Sequence, residues 1–162
     1  MTLPAFNPIA ALLLTSLIAA AVLACVRDYR WSARLNIVAS LAVLLVALRL
    51  LVDRPAADDF FIADDLNVVF IVLNAFVGFT TSLFSASYIG HELDTGRLTP
   101  GYLRFYHATF QTMMFGMDLA LTANNIGLMW VAIELATLST IMMVGIYRTS
   151  AALEAAWKYF IL

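Results

Sequence analysis

The chain has 162 residues, 63% of them hydrophobic and 12% charged, with a formal net charge of -2 and a mean hydropathy of +0.90. Soluble domains hold apolar usage near half, so this composition excludes one and predicts an integral protein of the lipid bilayer. No basic patch suits a nucleic acid partner, and a single cysteine, Cys25, excludes an intrachain disulfide and any cysteine-ligated zinc or iron–sulfur site built from this chain alone.

Five apolar runs are long enough, or nearly so, to cross a hydrocarbon slab of about 30 Å: 8–26, 33–52, 66–89, 105–123 and 125–147. A sixth starts with Ser150 as a plausible N-cap and runs to Leu162. At ~1.5 Å per residue it reaches only about 20 Å, short of a full span. The expected fold is therefore all-α, a polytopic transmembrane bundle of five spans plus an incomplete sixth. No Lys or Arg precedes Arg27, so the first run lacks the basic flank of a cleaved signal peptide and reads as a retained helix.

The connections alternate in charge. Arg27, Arg30 and Arg34 flank the first, Arg97 and Arg104 the third and Arg148 the fifth, whereas the second, 53–65, carries five aspartates and the fourth is the bare pair Asn124 and Asn125. The excess of basic residues in cytoplasmic loops places the arginine connections in the cytoplasm and the N-terminus on the other side. The aspartates read as a solvated surface that enforces this topology. Tyr29, Trp31, Tyr88, Tyr102, Tyr106 and Tyr147 fall at the ends of runs, where aromatic belts are expected.

Within the third run Asn74, Gly78, Ser82 and Ser85 recur at spacings of three and four, a stripe along which another helix can approach closely. His91, Glu92 and Asp94 follow it between Gly90 and Gly96 and read as a wet loop. In the fourth run His107 stands near one face of the membrane and Asp118 about 8 Å from the other. Each is a candidate for proton access, with packing for His107 and contact with interfacial water for Asp118 as the plainer alternatives. Met113, Met114, Met117, Met129, Met142 and Met143 read as gap-filling core, since no His or Cys joins them.

Glu134 is the conspicuous charge. Counted from Asn125 it lies roughly 13 Å into the bilayer, where an unpaired charge costs on the order of 3 kcal/mol or more. Lys158, about 12 Å from Ser150 on the next, antiparallel run, comes to a similar depth. Such a pair can form a proton relay, because burial raises a carboxyl pKa and lowers an ammonium pKa while direct pairing does the reverse. The plainer alternatives are a Glu134 carboxyl satisfied by Thr137 or Ser139, and a Lys158 that snorkels outward and pairs with Glu154 four residues earlier. No Gly-rich phosphate loop, CxxC, HExxH or GxSxG occurs, so no catalytic residue, metal site or cofactor is assigned to this chain.

The run Asn124-Asn-Ile-Gly-Leu-Met-Trp-Val-Ala-Ile-Glu134-Leu-Ala-Thr-Leu-Ser139, with Val144-Gly-Ile-Tyr147, Leu153-Glu-Ala-Ala-Trp-Lys158-Tyr-Phe and, upstream, Ser87-Tyr-Ile-Gly-His-Glu92, resembles the antiporter-like proton-translocating membrane subunits of the complex I and hydrogenase 4 family. The resemblance covers the second half well and the first two helices by hydropathy alone. It implies three leading helices in residues 1–104 and the opening of the first proton-translocating repeat in 105–162. It also implies that Glu134 belongs to a buried charge chain carrying protons, with Lys158 close by. The implied setting is the cell inner (plasma) membrane, in a complex with other membrane subunits and with peripheral redox subunits that hold the redox centres. The family's further lysines and broken helices lie beyond position 162, so a piece of a longer chain or a split subunit is expected. Two other readings stand beside proton pumping: a non-conducting membrane anchor of such a complex, and a cation/proton antiporter subunit.

Overall fold

The computed structural model describes residues 7–96, 98 and 100–161. Its helices are α1 (Pro8–Cys25), α2 (Tyr29–Arg49), α3 (Asp65–Asp94), α4 (Pro100–Thr122), α5 (Ile126–Val144) and α6 (Ser150–Ile161). Arg97 lies outside the described residues, as does the side chain of Arg104. The architecture is an all-α bundle. Among the described residues the β-type pairing is one antiparallel bridge, Phe61 with Ala123.

Side chains set several of the helix starts. Asn7 accepts from the N–H groups of Ile9 and Ala10, with Pro8 opening the helix. Asp28 accepts from Trp31 N–H, Asp64 from Asn67 N–H, and Asn125 from the N–H groups of Gly127 and Leu128. Each satisfies backbone donors that the first turn leaves unpaired, a need that is absolute in lipid. The Asp28 cap moves the start of α2 to Tyr29, ahead of the apolar run expected from 33. At the far end of α3 the helix continues to Asp94 and absorbs Gly90, His91 and Glu92. The wet loop expected there is thus a helical turn, and Glu92 is buried in it.

Among the described residues four helices, α1, α2, α3 and α5, are long and apolar enough to cross a membrane. α4 also has span length, with 23 residues, but carries His107, Thr109, Gln111, Thr112, Asp118 and Thr122. Its position explains this. α4 packs against α1, α2, α3 and α5, so much of its surface meets protein and its polar side chains need not face lipid. α5 is the least covered of the four apolar helices, and α6 rests on α5.

One core cluster joins Ile9, Leu12 and Leu13 of α1, Val43, Ala47 and Leu50 of α2, and Val68, Ile71 and Ala75 of α3, with Phe115 and Leu119 of α4 packed on it. At the other end Ile89, Leu98 and Ile146 gather Tyr29, Tyr102, Tyr106 and Tyr147. These tyrosines, expected as a belt at the membrane surface, pack as part of the bundle, and the Tyr29 hydroxyl donates to the Ala86 carbonyl. The small-residue stripe on α3 does pack: Gly78, Ser82 and Ser85 are buried, and the side chain of Met114 lies over Gly78. Met114 fills core as expected, whereas Met117, Met129 and Met142 are exposed on the bundle surface.

The acidic second loop has more structure than a solvated tether needs. Its five aspartates are exposed, yet its backbone folds across the α4–α5 turn: Ile62 N–H donates to Thr122 O at 2.9 Å, Asn124 N–H to Phe60 O at 2.8 Å and Asn124 Nδ2 to Asp58 O at 2.6 Å. Asp58 Oδ1 holds the bend by accepting from Phe60 N–H at 2.8 Å and Phe61 N–H at 2.6 Å.

Candidate functional site

α5 presents Glu134 by way of its seam with α4. At Gly116 the two backbones come so close that an added Cβ would lie 3.0 Å from Ala136 N and 3.1 Å from Ala132 O. Ala132 and Ala136 therefore mark the face of α5 that meets α4. Glu134, about 200° around the helix from Ala132, points away from that seam. It is half-buried, and among the described residues no hydrogen bond or ion pair reaches it. The donors expected for it are engaged elsewhere: Thr137 donates to Ile133 O at 2.9 Å and Ser139 to Leu135 O at 2.8 Å. Back-bonding of this kind satisfies a hydroxyl inside its own helix.

Lys158 pairs with Glu154 on α6, Nζ to Oε1 at 2.6 Å, with both side chains about two-thirds exposed. α6 turns Ala156 inward, against Gly145. Lys158, two residues on, falls on the outer side. The plainer expectation for Lys158, a pair with Glu154, is the one realised, and the structure does not join Lys158 to Glu134.

The two polar residues of α4 are brought inside. Asp118 is fully buried and accepts at Oδ1 from Asn74 Nδ2 of α3 at 2.8 Å. Contact with interfacial water is therefore not its setting. His107 is also fully buried, with Tyr106 edge-on to its ring at a centroid distance of 5.3 Å. Between them Gln111, fully buried, donates from Nε2 to Asn36 Oδ1 at 2.8 Å and to Ser40 Oγ at 3.0 Å on α2. Gln111, Asn36 and Ser40 went unnoticed in the sequence. The signal was present: 107, 111, 118 and 122 recur at helical spacing, as do Ser32, Asn36 and Ser40 on α2. Each buried polar atom left unpaired costs about 1–3 kcal/mol, so a concentration of them calls for an explanation.

At the opposite end of α3 the Tyr88 and Tyr147 hydroxyls lie 3.1 Å apart and line a recess with Glu92 and Thr149. A long apolar groove between α3, α4 and α5 runs past Phe70, Val77, Met117 and Ile133. Among the described residues no three His, Cys, Asp or Glu side chains gather as a metal site would require.

Over 153 residues, 94% of the chain, the sequence is 53% identical to a protein of Methylacidiphilum infernorum named hydrogenase-4 component F homolog. The match falls on the N-terminal part of that relative. It spans about a third of the length of that curated relative. No protein-family model matches the chain, and no solved structure matches it. The apolar helices fit a membrane protein, and the similarity is to a protein named as a hydrogenase-4 component F homolog.

Proposed function

We propose that the chain forms part of an ion-translocating membrane subunit of a hydrogenase- or complex I-like assembly, coupling electron transfer in peripheral redox subunits to proton movement in the membrane. The observation that carries this reading is Glu134, a half-buried carboxyl near the middle of the apolar helix α5, on the face opposite its seam with α4 and without a hydrogen-bond or ion-pair partner among the described residues. A charge there is costly unless it is paired, hydrated or neutralised, and membrane segments docking on that face would supply the partner. Glu134 is then the relay carboxyl. Lys158 acts as its modulating neighbour, free to exchange a weak exposed pair with Glu154 for other company. Arg27, Arg30, Arg34 and Arg148 support an N-terminus on the non-cytoplasmic side of the inner (plasma) membrane.

Glu134→Gln in the assembled complex tests the reading. The expected result is a fall in protons translocated per electron with assembly unaffected; an unchanged ratio refutes it. The Lys158–Glu154 pair favours a second reading, a non-conducting anchor, since both charges are already satisfied on the surface of α6. That reading expects Glu134→Gln to be silent and substitutions along Gly78, Ser82 and Ser85 to block assembly. Transport that depends on sodium in vesicles would instead favour a cation/proton antiporter.

A further inference from the structure

Among the described residues seven buried side-chain atoms have no hydrogen-bond partner, and all seven belong to one seam. Ser16 Oγ is on α1, Ser32 Oγ and Asn36 Nδ2 are on α2, and Gln111 Oε1, Asp118 Oδ2 and both ring nitrogens of His107 are on α4. These three helices pack against one another pairwise. Their order in depth is regular. At ~1.5 Å per residue from the Thr122 end of α4, Asp118 lies about 6 Å along, Gln111 about 16 Å and His107 about 22 Å. The Pro8 end of α1 and the Arg49 end of α2 share that end of the bundle, through the cluster of Ile9, Leu12, Ala47 and Leu50. Ser16 then falls about 12 Å in, between Asp118 and Gln111, while Asn36 and Ser32 fall about 20 Å and 26 Å in, beside Gln111 and His107.

The chemistry of the unpaired atoms selects their partner. An amide N–H donor, two hydroxyls, an amide oxygen and a carboxylate oxygen form a mixed set, and an imidazole needs a donor on one nitrogen and an acceptor on the other. A single metal ion cannot reach groups spread over about 16 Å of α4, and Asn36 Nδ2, a donor, cannot ligate one. Water both donates and accepts and is held in protein interiors by 2 to 4 such groups.

We propose that α1, α2 and α4 enclose a file of buried waters running from Asp118 to His107, a proton path distinct from Glu134. Asp118 and His107 are its titratable ends, and Asn74 holds one Asp118 oxygen so that the other faces the file. Ser16, Asn36, Gln111 and Ser32 orient the waters. A proton entering the file is taken up by Asp118 Oδ2 from a neighbouring water and released to the next, so only O–H and N–H bonds form and break. That the path serves transport rests on the proposed function; its hydration does not.

The test is infrared spectroscopy of the chain in lipid nanodiscs at acid pH, with transfer to heavy water. A carboxyl C=O band abolished by Asp118→Asn should shift promptly on transfer. Gln111→Leu or Ser16→Val, each breaking one station of the file, should slow that shift about tenfold, the loss of roughly one hydrogen bond at the barrier. Circular dichroism verifies the fold, and whichever of the two variants folds serves. A band that does not exchange in the unaltered chain, or that exchanges equally fast in a folded variant, overturns the proposal. Because the readout involves no transport, failure of Glu134→Gln to alter pumping would leave the file standing, and a dry Asp118 would leave the role of Glu134 standing.

Discussion

The seam that positions Glu134 can be tested by comparing two glycines. Replacing Gly116 or Gly78 with alanine gains a similar helix propensity, about 1 kcal/mol in either case, so the difference between the variants isolates what the new methyl meets. At Gly116 it meets the backbone of the next helix, 3.0 Å from Ala136 N and 3.1 Å from Ala132 O, with Ala136 Cβ at 3.2 Å. None of these atoms can yield unless α5 moves as a body. Overpacking of this kind costs about 1–3 kcal/mol, and small residues at helix contacts are what permit such close approach in membranes. At Gly78 the methyl meets the Sδ and Cε atoms of Met114, the end of an unbranched side chain that can turn aside. Gly116→Ala should therefore be less stable than Gly78→Ala by about 1–3 kcal/mol. Unfolding in mixed micelles, titrated with SDS and followed by circular dichroism, measures the difference. Equal stabilities, or a Gly116→Ala variant more stable than Gly78→Ala, would refute the α4–α5 contact and with it the direction assigned to Glu134.

Asn74→Ala should destabilise the bundle by about 1–3 kcal/mol, since it leaves both oxygens of the buried Asp118 carboxyl without a protein donor; the same titration checks it, and no change would mean that another group takes over the bond. Asp58→Ala removes the acceptor for two N–H groups at the bend of the acidic loop. Hydrogen exchange of the Ile62 and Asn124 amides, which tie that loop to the α4–α5 turn, should then quicken about tenfold while the amides of α1 stay protected.

Much of the helical framework was readable one residue at a time. Asn125 before α5 was legible as a start, because a cap acts within a turn and needs no knowledge of neighbours; at α6 the cap is Thr149, whose Oγ1 accepts from Ala152 N–H at 3.1 Å, one residue ahead of the Ser150 expected in that role. Asp28 and Asp64 cap by the same local rule, yet they stand in charged connections that the apolar runs exclude, and so α2 and α3 start earlier than hydropathy suggests. Gly90 and Gly96 made the end of α3 look like a loop. What keeps it helical to Asp94 is tertiary: Ile89 packs on Leu98 and Ile146, Glu92 is buried, and Leu98 N–H donates to Glu92 O at 3.2 Å. The depth of Glu134 followed from counting residues along one helix, whereas its facing followed from Gly116, a residue on another.

By itself, then, the sequence determined that this is a membrane-embedded helical chain, where most of its helices begin, and which charged residues are expensive enough to matter. These are properties of composition, of period and of the local satisfaction of backbone groups. Which polar residues share a space was decided by the tertiary structure. Asp118, His107 and Gln111 look no more remarkable along the chain than Lys158. They became the buried polar column because α4 is the helix that four others surround, and Lys158 became a surface ion pair because α6 turns Ala156 inward. In lipid a helix satisfies its own backbone, so packing alone selects the face that it buries, and a side chain's partners depend on helices distant in the sequence.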